Sequence, residues 1–205
     1  MSDPDLNAFS GLARLFPLAS VVMFPHGLAP LHIFEPRYKR MTEDALAGDR
    51  LIVTVRARPE RSAPGSTAPA LEQFGCLGRI IHSERLVDGR FNLLLLGLRR
   101  VRLIREHLAP DLPYRTADVA VLDDHASPAV DLEESRSQLM DLLQRSLGGS
   151  TGLTSEILQL LETAESAGAL ADVMAHGLPI PDDRKQRLLA EPSVDRRLQD
   201  LRAWL

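Results

Sequence analysis

The residues that could do chemistry in this chain are scattered. Six histidines, His26, His32, His82, His107, His125 and His176, share no helical i, i+4 spacing, and Cys76 is the lone cysteine. A protein metal centre usually announces itself by at least one close pair of ligands, so no metal site is expected. One cysteine excludes an internal disulfide and a cysteine cluster. His32, inside a short strand-like run, reads as a wall residue.

Gly148-Gly149-Ser150-Thr151-Gly152 matches the Gly-x-Ser-x-Gly pattern. That pattern activates a serine only on a sharp strand-to-helix turn. Here a helical period precedes it, and a glycine-rich link between two helices explains it better. The only lysines are Lys39, after Tyr38, and Lys185, after Arg184, so no Gly-Lys-Ser/Thr phosphate loop exists. The pairs Asp123-Asp124, Glu133-Glu134 and Asp182-Asp183 fall at a junction or at helix starts, where solvation and the helix dipole account for them. No catalytic residue and no cofactor site is expected.

Three groups remain as binding candidates. Arg99, Arg100, Arg102 and Arg105 form the densest basic cluster; on a strand, Arg100 and Arg102 share one face, opposite Arg99. Glu35 and Arg37 flank a helix entry, where a terminal carboxylate and an arginine tying the helix down are the simpler reading. Met23, Phe24, Pro25, Leu28, Pro30 and Phe34 surround one turn. Those left exposed would form an apolar patch suited to extended, unfolded polypeptide, while core packing is the usual fate of each.

These groups need a scaffold. A chain of 205 residues with 44% hydrophobic and 25% charged residues can bury a core as a soluble globular protein. Its net charge of −4 gives no global case for nucleic acid or an anionic membrane. No apolar run approaches the ~18 residues of a membrane span. The first residues lack the basic-then-apolar order of a signal peptide, so a cytoplasmic location is expected.

Residues 1–13 read as a flexible leader. Leu18 and 21–24 then form an apolar run of strand length, and Pro25-His26-Gly27 breaks it, with glycine supplying a positive φ. Residues 31–33 alternate as a strand. Pro36 opens a helix whose apolar face is Tyr38, Met41, Ala45 and Leu46, with Gly48 as its stop. A strand at 51–56 runs into a proline-rich loop at 58–70. Asp88-Gly89 predicts a type I′ hairpin between 84–87 and 91–96, and Gly97 a bulge within the run that continues it. A last strand covers 116–122. Six or seven short strands with one early helix predict a small closed or nearly closed barrel over 14–123. From 124 to 205 the period is helical: 131–147, 154–165, 166–176, a helix opened by Pro181-Asp182 and one begun at Ser193. The predicted class is α+β, a β-barrel followed by a C-terminal helical bundle.

Phe16-Pro17-Leu18, Phe24-Pro25, Gly27, His32 and Ile33-Phe34-Glu35-Pro36-Arg37-Tyr38 together resemble the opening of the Lon N-terminal domain family. Gly78-Arg79-Ile80, Asp88-Gly89-Arg90-Phe91-Asn92 and Gly97-Leu98-Arg99-Arg100-Val101 are similar to its second block. The segment around Asp195-Arg196-Arg197-Leu198 resembles its helical end. The resemblance implies a PUA-like barrel plus helices, and the substrate-binding module that opens the ATP-dependent Lon protease and also occurs as a stand-alone bacterial protein. It implies a non-catalytic protein, since neither ATPase nor Ser-Lys protease motifs stand in this sequence. The expected ligand is unfolded or tagged polypeptide or a protein partner, in protein quality control. A protease acting in trans and self-association are further expectations. The expected contacts are Met23, Phe24, Pro25, Leu28 and Phe34, on the barrel face and the groove against the helices. Glu35, Pro36, Arg37, Tyr38, Asp88, Gly89 and Gly97 serve as structural motif residues. Because PUA-like folds can bind RNA, the alternative is an RNA-binding protein using Arg99, Arg100, Arg102 and Arg105. The net charge and the scarcity of aromatic residues count against it.

Overall fold

The computed structural model describes residues 9–62, 68–107, 111–147, 161 and 164–204. The Gly148–Gly152 link, most of the helix expected at 154–165 and the middle of the 58–70 loop lie outside the described residues. The chain divides into two compact units, Met1–Leu122 and Asp123–Leu205.

The first unit holds β1 (Leu12–Leu18), β2 (Leu28–Ile33), α1 (Pro36–Ala47), β3 (Leu51–Arg58), a 3₁₀ turn (Pro59–Arg61), β4 (Ala70–Arg85), β5 (Phe91–His107) and β6 (Thr116–Leu122). The sheet is mixed: β1 and β3 are parallel and the other pairs antiparallel. Its order is β2-β5-β4-β3-β1-β6, and β6 also pairs with β5. The pairings therefore run in a circuit, β1-β3-β4-β5-β6-β1, with β2 outside it on β5. Leu15, Val53, Val55, Leu77, Val101 and Ala117 pack within this circuit as its buried core.

β5 has two sets of neighbours. Its first half, through Leu96, lies between β2 and β4, and its second half lies between β4 and β6. The switch falls at Gly97, where the β4 register jumps from Gly78↔Gly97 to Leu77↔Arg99 and leaves Leu98 as the extra residue of a bulge. The bulge sits where the glycine predicted it.

Three local expectations change. The strand lies at Leu12–Leu18, not at 18–24. Val22, Met23, Phe24 and Pro25 are all buried in succession, which a strand with alternating faces cannot achieve; they fill the core as a segment outside the ladders. The leader is also shorter than 13 residues: Phe9 packs on the core and the Gly11 carbonyl accepts from the Val119 amide at 2.8 Å. In the Phe24–Gly27 turn the positive φ belongs to His26, at 63°, and not to Gly27. The Gly27 amide closes that turn on the Phe24 carbonyl at 3.1 Å, the type II pattern with proline second.

The hairpin at Asp88-Gly89 forms but is not type I′. Only Gly89 has positive φ, at 76°. The Gly89 amide donates to the Leu86 carbonyl at 2.9 Å, and the Leu86 amide to the Arg90 carbonyl at 2.8 Å. This is a three-residue loop with glycine in the left-handed position. Asp88 contributes its carboxylate, which accepts from the Arg90 amide at 3.1 Å.

α1 starts at Pro36, where a missing N–H is harmless, and buries Tyr38, Met41, Thr42 and Ala45. It stops at Gly48, but the left-handed residue is Arg50, with φ of 60° and an amide bonded to the Ala45 carbonyl at 2.9 Å.

The second unit contains α2 (Leu132–Leu147), α3 (Ala167–Gly177), α4 (Asp182–Ala190) and α5 (Val194–Trp204). Asp131 caps α2 by accepting the Glu133 and Glu134 amides at 3.0 Å each, and Ser166 caps α3 by accepting from Ala169 at 3.1 Å. Lys185 of α4 donates to the His176 carbonyl at 2.8 Å at the end of α3. Leu139, Leu143, Leu170, Leu188, Leu198 and Leu201 are fully buried. A single bridge pairs His125 with Ser193 ahead of α5.

Candidate functional site

β2 alternates as an edge strand with one wet face. Ala29 and Ile33 are buried, whereas Leu28, Pro30 and His32 point out. β5 answers with Phe91, Leu93 and Leu95 inside and Asn92, Leu94 and Leu96 outside. On β4 an irregularity between Ile80 and His82 keeps Ile80 buried and turns Ile81 to solvent. The registers align these positions in rows: Leu28 beside Leu96 and Arg79, Pro30 beside Leu94 and His82, His32 beside Asn92 and Glu84.

The outcome is an apolar face with a polar border. Leu28 is 50% exposed, Phe34 61% and Ile81 43%, with half-buried Leu94 and Leu96 between them. The border is a directed chain of hydrogen bonds. Asp88 accepts from Arg90 Nε at 2.6 Å, and Arg90 Nη1 stands 3.2 Å from His32 Nε2. A guanidinium only donates, so Nε2 accepts and the ring proton sits on Nδ1. Nδ1 then donates to Asn92 Oδ1 at 2.8 Å, and Asn92 Nδ2 donates to Glu84 Oε2 at 3.1 Å. His32 also stacks on Phe34, with ring centroids 6.3 Å apart, and so holds the most exposed aromatic ring of the face.

The expected contact set therefore splits. Met23 at 1% and Phe24 at 0% exposure belong to the core, and Pro25 is buried beside them. They are unavailable to a ligand, because this segment is buried against β5, with the Phe24 carbonyl packed on Gly97. Leu28 and Phe34 stay on the surface, joined by Ile81, Leu94 and Leu96. Sequence alone missed those three, since the alternation of β5 hides in a run of four leucines. The irregularity at Ile81 left no signal at all.

Glu35 and Arg37 face each other at 2.8 Å. The Arg37 guanidinium lies 4.6 Å over the Tyr38 ring, which meets Phe16 edge-on at 4.7 Å. Burial pushes the Tyr38 phenol above its ordinary pKa. These residues hold α1 to β1. Tyr114 adds a second tie, donating to Asp44 of α1 at 2.8 Å.

The arginines do not gather on one face. Arg100 is buried at 2% exposure, Arg102 is exposed, and Arg99 donates to the neighbouring Leu98 carbonyl at 3.0 Å. Arg105 is matched across the ladder by Asp118 at 3.0 Å, and His107 reaches the same carboxylate at 2.9 Å. Hydrogen bonds from His107 and then Arg105 hold the Asp118 carboxyl below its usual range. The register is regular from Arg99 to Arg102, so Arg100 and Arg102 share a face opposite Arg99, as the spacing predicts, but only Arg102 is exposed on it.

In the second unit, Arg197 is 1% exposed. It makes a two-pronged bond to Asp124, at 2.9 and 2.6 Å, and donates to the Glu191 carbonyl at 3.0 Å. Asp172 of α3, equally buried, lies 3.5 Å from its Nε. This arrangement ties the start of the unit to α3 and α5. It had a readable signal: Val194, Arg197, Leu198 and Leu201 share the i, i+3, i+4, i+7 stripe of an amphipathic helix, which puts the arginine on the buried side.

Among the described residues no three His, Cys, Asp or Glu side chains are placed to hold a metal ion, and no helix is long and apolar enough to cross a membrane.

The model of the ATP-dependent protease La (LON) substrate-binding domain matches residues 13–205. The chain is 29% identical over 208 residues to a Lon protease of Dictyoglomus thermophilum, covering 100% of this chain and 26% of that protein. It is 28% identical over 187 residues to Lon protease 2 of Myxococcus xanthus, covering 90% of this chain and 22% of that protein. The chain thus spans about a quarter of the length of these relatives. Among solved structures it is similar to a Lon N-terminal domain protein from Xanthomonas campestris, with a TM-score of 0.66, 25% identity and coverage of 95% of this chain and 98% of that one. The N-terminal domain of a Mycobacterium avium complex Lon protease shares the fold, with a TM-score of 0.73 at 17% identity over 94% of this chain and 97% of that one. With the family model matching from β1 to the last residue, the chain belongs to the Lon substrate-binding domain family.

Proposed function

We propose that this protein is a non-catalytic module that binds unfolded polypeptide on the outer face of β2, β5 and β4, in the service of proteolysis. The observation that carries this reading is the exposed apolar face of Leu28, Phe34, Ile81, Leu94 and Leu96, bordered by the Arg90-His32-Asn92-Glu84 chain. An apolar surface of this kind binds without demanding a particular sequence, because the driving force is removal of apolar area from water. Membership in a substrate-binding family agrees with it. The circuit of strand pairings supports reading the sheet as the small PUA-like barrel that the sequence suggested. A cytoplasmic role in bacterial protein quality control, with an ATP-dependent protease supplied in trans, completes the reading.

The test is fluorescence anisotropy with a labelled, permanently unfolded protein at low and moderate salt. Binding that survives salt and falls about tenfold or more in Phe34→Ser and Leu28→Ser supports the face, two side chains of this size accounting for that loss. Binding that both variants leave intact removes the face from consideration. Affinity for labelled RNA alone, steeply salt-dependent, would return Arg99, Arg102 and Arg105 to the front.

A further inference from the structure

The hairpin that joins β4 to β5 brings its tip against α1. A Cβ atom built on Gly89 would stand 3.9 Å from Lys39 Nζ, and Arg85 lies 3.4 Å from Glu43 of the same helix. This corner adjoins the apolar face. Arg90, next to Gly89, reaches His32, and His32 stacks on Phe34. The corner is dense in charge, and its arginines are all matched. Arg37 meets Glu35 at 2.8 Å, Arg40 meets Asp44 at 3.0 Å, Arg85 meets Glu43, and Arg90 meets Asp88 at 2.6 Å. Glu84, the remaining carboxylate, accepts from Asn92 at 3.1 Å. Among the described residues Lys39 belongs to none of these pairs, and it is half-buried.

We infer that the apolar face favours polypeptide carrying a carboxylate beside its apolar residues, and that Lys39 receives that carboxylate. The inference rests on the polypeptide-binding reading above and adds a sign of charge to it. An ammonium with no carboxylate of its own keeps its three donors for whatever lies alongside. Each carboxylate of the corner already has a partner. An incoming aspartate or glutamate therefore meets one uncompensated attraction, and an incoming lysine or arginine meets one uncompensated repulsion. Screening limits the reach of Lys39 to about 8 Å at physiological salt, so it acts on residues flanking the apolar segment and not on distant ones. The effect is a bias on apolar binding and not its source, because an exposed ion pair is weak. It also runs against the chain as a whole, whose net charge of −4 draws basic peptides.

The experiment uses three labelled peptides that share one core of leucine and phenylalanine and are flanked by aspartates, by lysines or by serines. Fluorescence anisotropy measures each against the unaltered protein, Lys39→Gln and Lys39→Glu, at low and moderate salt. The expected result is tighter binding of the aspartate-flanked than of the lysine-flanked peptide, by about threefold to tenfold, with a ratio that shrinks as salt is added. Lys39→Gln brings that ratio down toward one, and Lys39→Glu inverts it. A ratio of one in the unaltered protein overturns the inference. So does a preference for aspartate that both variants leave unchanged, which would locate the attraction elsewhere. The serine-flanked peptide separates the two ideas. If it binds the unaltered protein while the ratio is one, the polypeptide-binding reading stands and the preference for carboxylate falls. If none of the three binds, both fall together. Glutamine and glutamate are good helix formers, and circular dichroism confirms that each variant folds; if one does not, the other carries the test.

Discussion

A Cβ atom built on Gly97 would stand 2.0 Å from the carbonyl oxygen of Phe24. The buried 22–25 segment passes so close to β5 that the strand must lack a side chain there. The Cys76 sulfur, 3.1 Å away, closes another direction. Gly97→Ala is therefore expected to destabilise the first unit by about 3 kcal/mol or more, because backbone rather than a movable side chain must yield. Urea denaturation followed by tryptophan-independent far-ultraviolet dichroism reads this directly. A loss under 1 kcal/mol would mean that the two segments separate easily.

Arg197 should behave as a buried charge and not as a surface one. Arg197→Met leaves Asp172, itself 1% exposed, without its cationic neighbour, at an expected cost of about 3–5 kcal/mol. Adding Asp172→Leu to the same chain is expected to recover much of that loss, since an apolar pair suits the site. Thermal unfolding of the two variants decides it. Equal melting temperatures for the single and the double variant would show that Asp172 draws its stability elsewhere.

His26 adopts a φ of 63° at the third position of its turn. Replacing it with glycine relieves a left-handed strain of about 1–2 kcal/mol, against the backbone entropy glycine adds to the unfolded chain. The net expectation for His26→Gly is stabilisation by about 0.5–1 kcal/mol, seen as a higher denaturation midpoint. His26→Val, β-branched at the same φ, is expected to lower it.

The Asp44-Tyr114 bond gives the fold a dependence on pH at both ends. Burial pushes the Asp44 carboxyl up, but hydrogen bonds from Tyr114 and Arg40 and the charges of Arg40 and Arg14 outweigh it and hold it below its ordinary value. A carboxyl lowered on folding adds stability that is complete above about pH 3.8 and disappears as pH falls through the folded pKa. Tyr114 moves the other way, raised by burial and by its bond to Asp44. Its contribution is complete below about pH 10.0 and is lost as pH rises through the folded pKa. Tyr114→Phe should flatten both limbs of a stability-against-pH curve; an acid limb unchanged in that variant would contradict the assignment.

The sequence was most informative where local rules act alone. Pro36, Asp131, Ser166 and Asp182 mark helix starts by chemistry that needs no partner. Gly97 marks a bulge for the same reason. The errors fall where tertiary contact overrides pattern. Residues 21–24 look like a strand, yet no ladder is open to them and they fill the core instead. Asp88-Gly89 looks like a type I′ turn, yet the loop takes three residues and asks a positive φ of glycine alone. The candidate face was only half legible. Leu28 and Phe34 stand in the right motif, but which members of an apolar run reach solvent depends on registers that link β2, β5 and β4 across distant parts of the chain. Arg100 shows the same limit from the polar side: it shares a face with the exposed Arg102 and is nonetheless buried, which spacing along one strand does not announce.

The closure of the strand circuit has a consequence for how the chain comes to be folded. β1 and β6 stand at opposite ends of the first unit, and Leu12 pairs with Asp118. No local hairpin can make that contact, so the ring stays open until nearly the whole unit has been synthesised. Contacts between such distant partners form slowly, because the entropy of closing the intervening chain must be met before any bond repays it. During synthesis the chain therefore passes through a stage in which β1 offers a bare edge, and so does the far half of β5. In that stage it is a molecule of the very kind it is proposed to recognise.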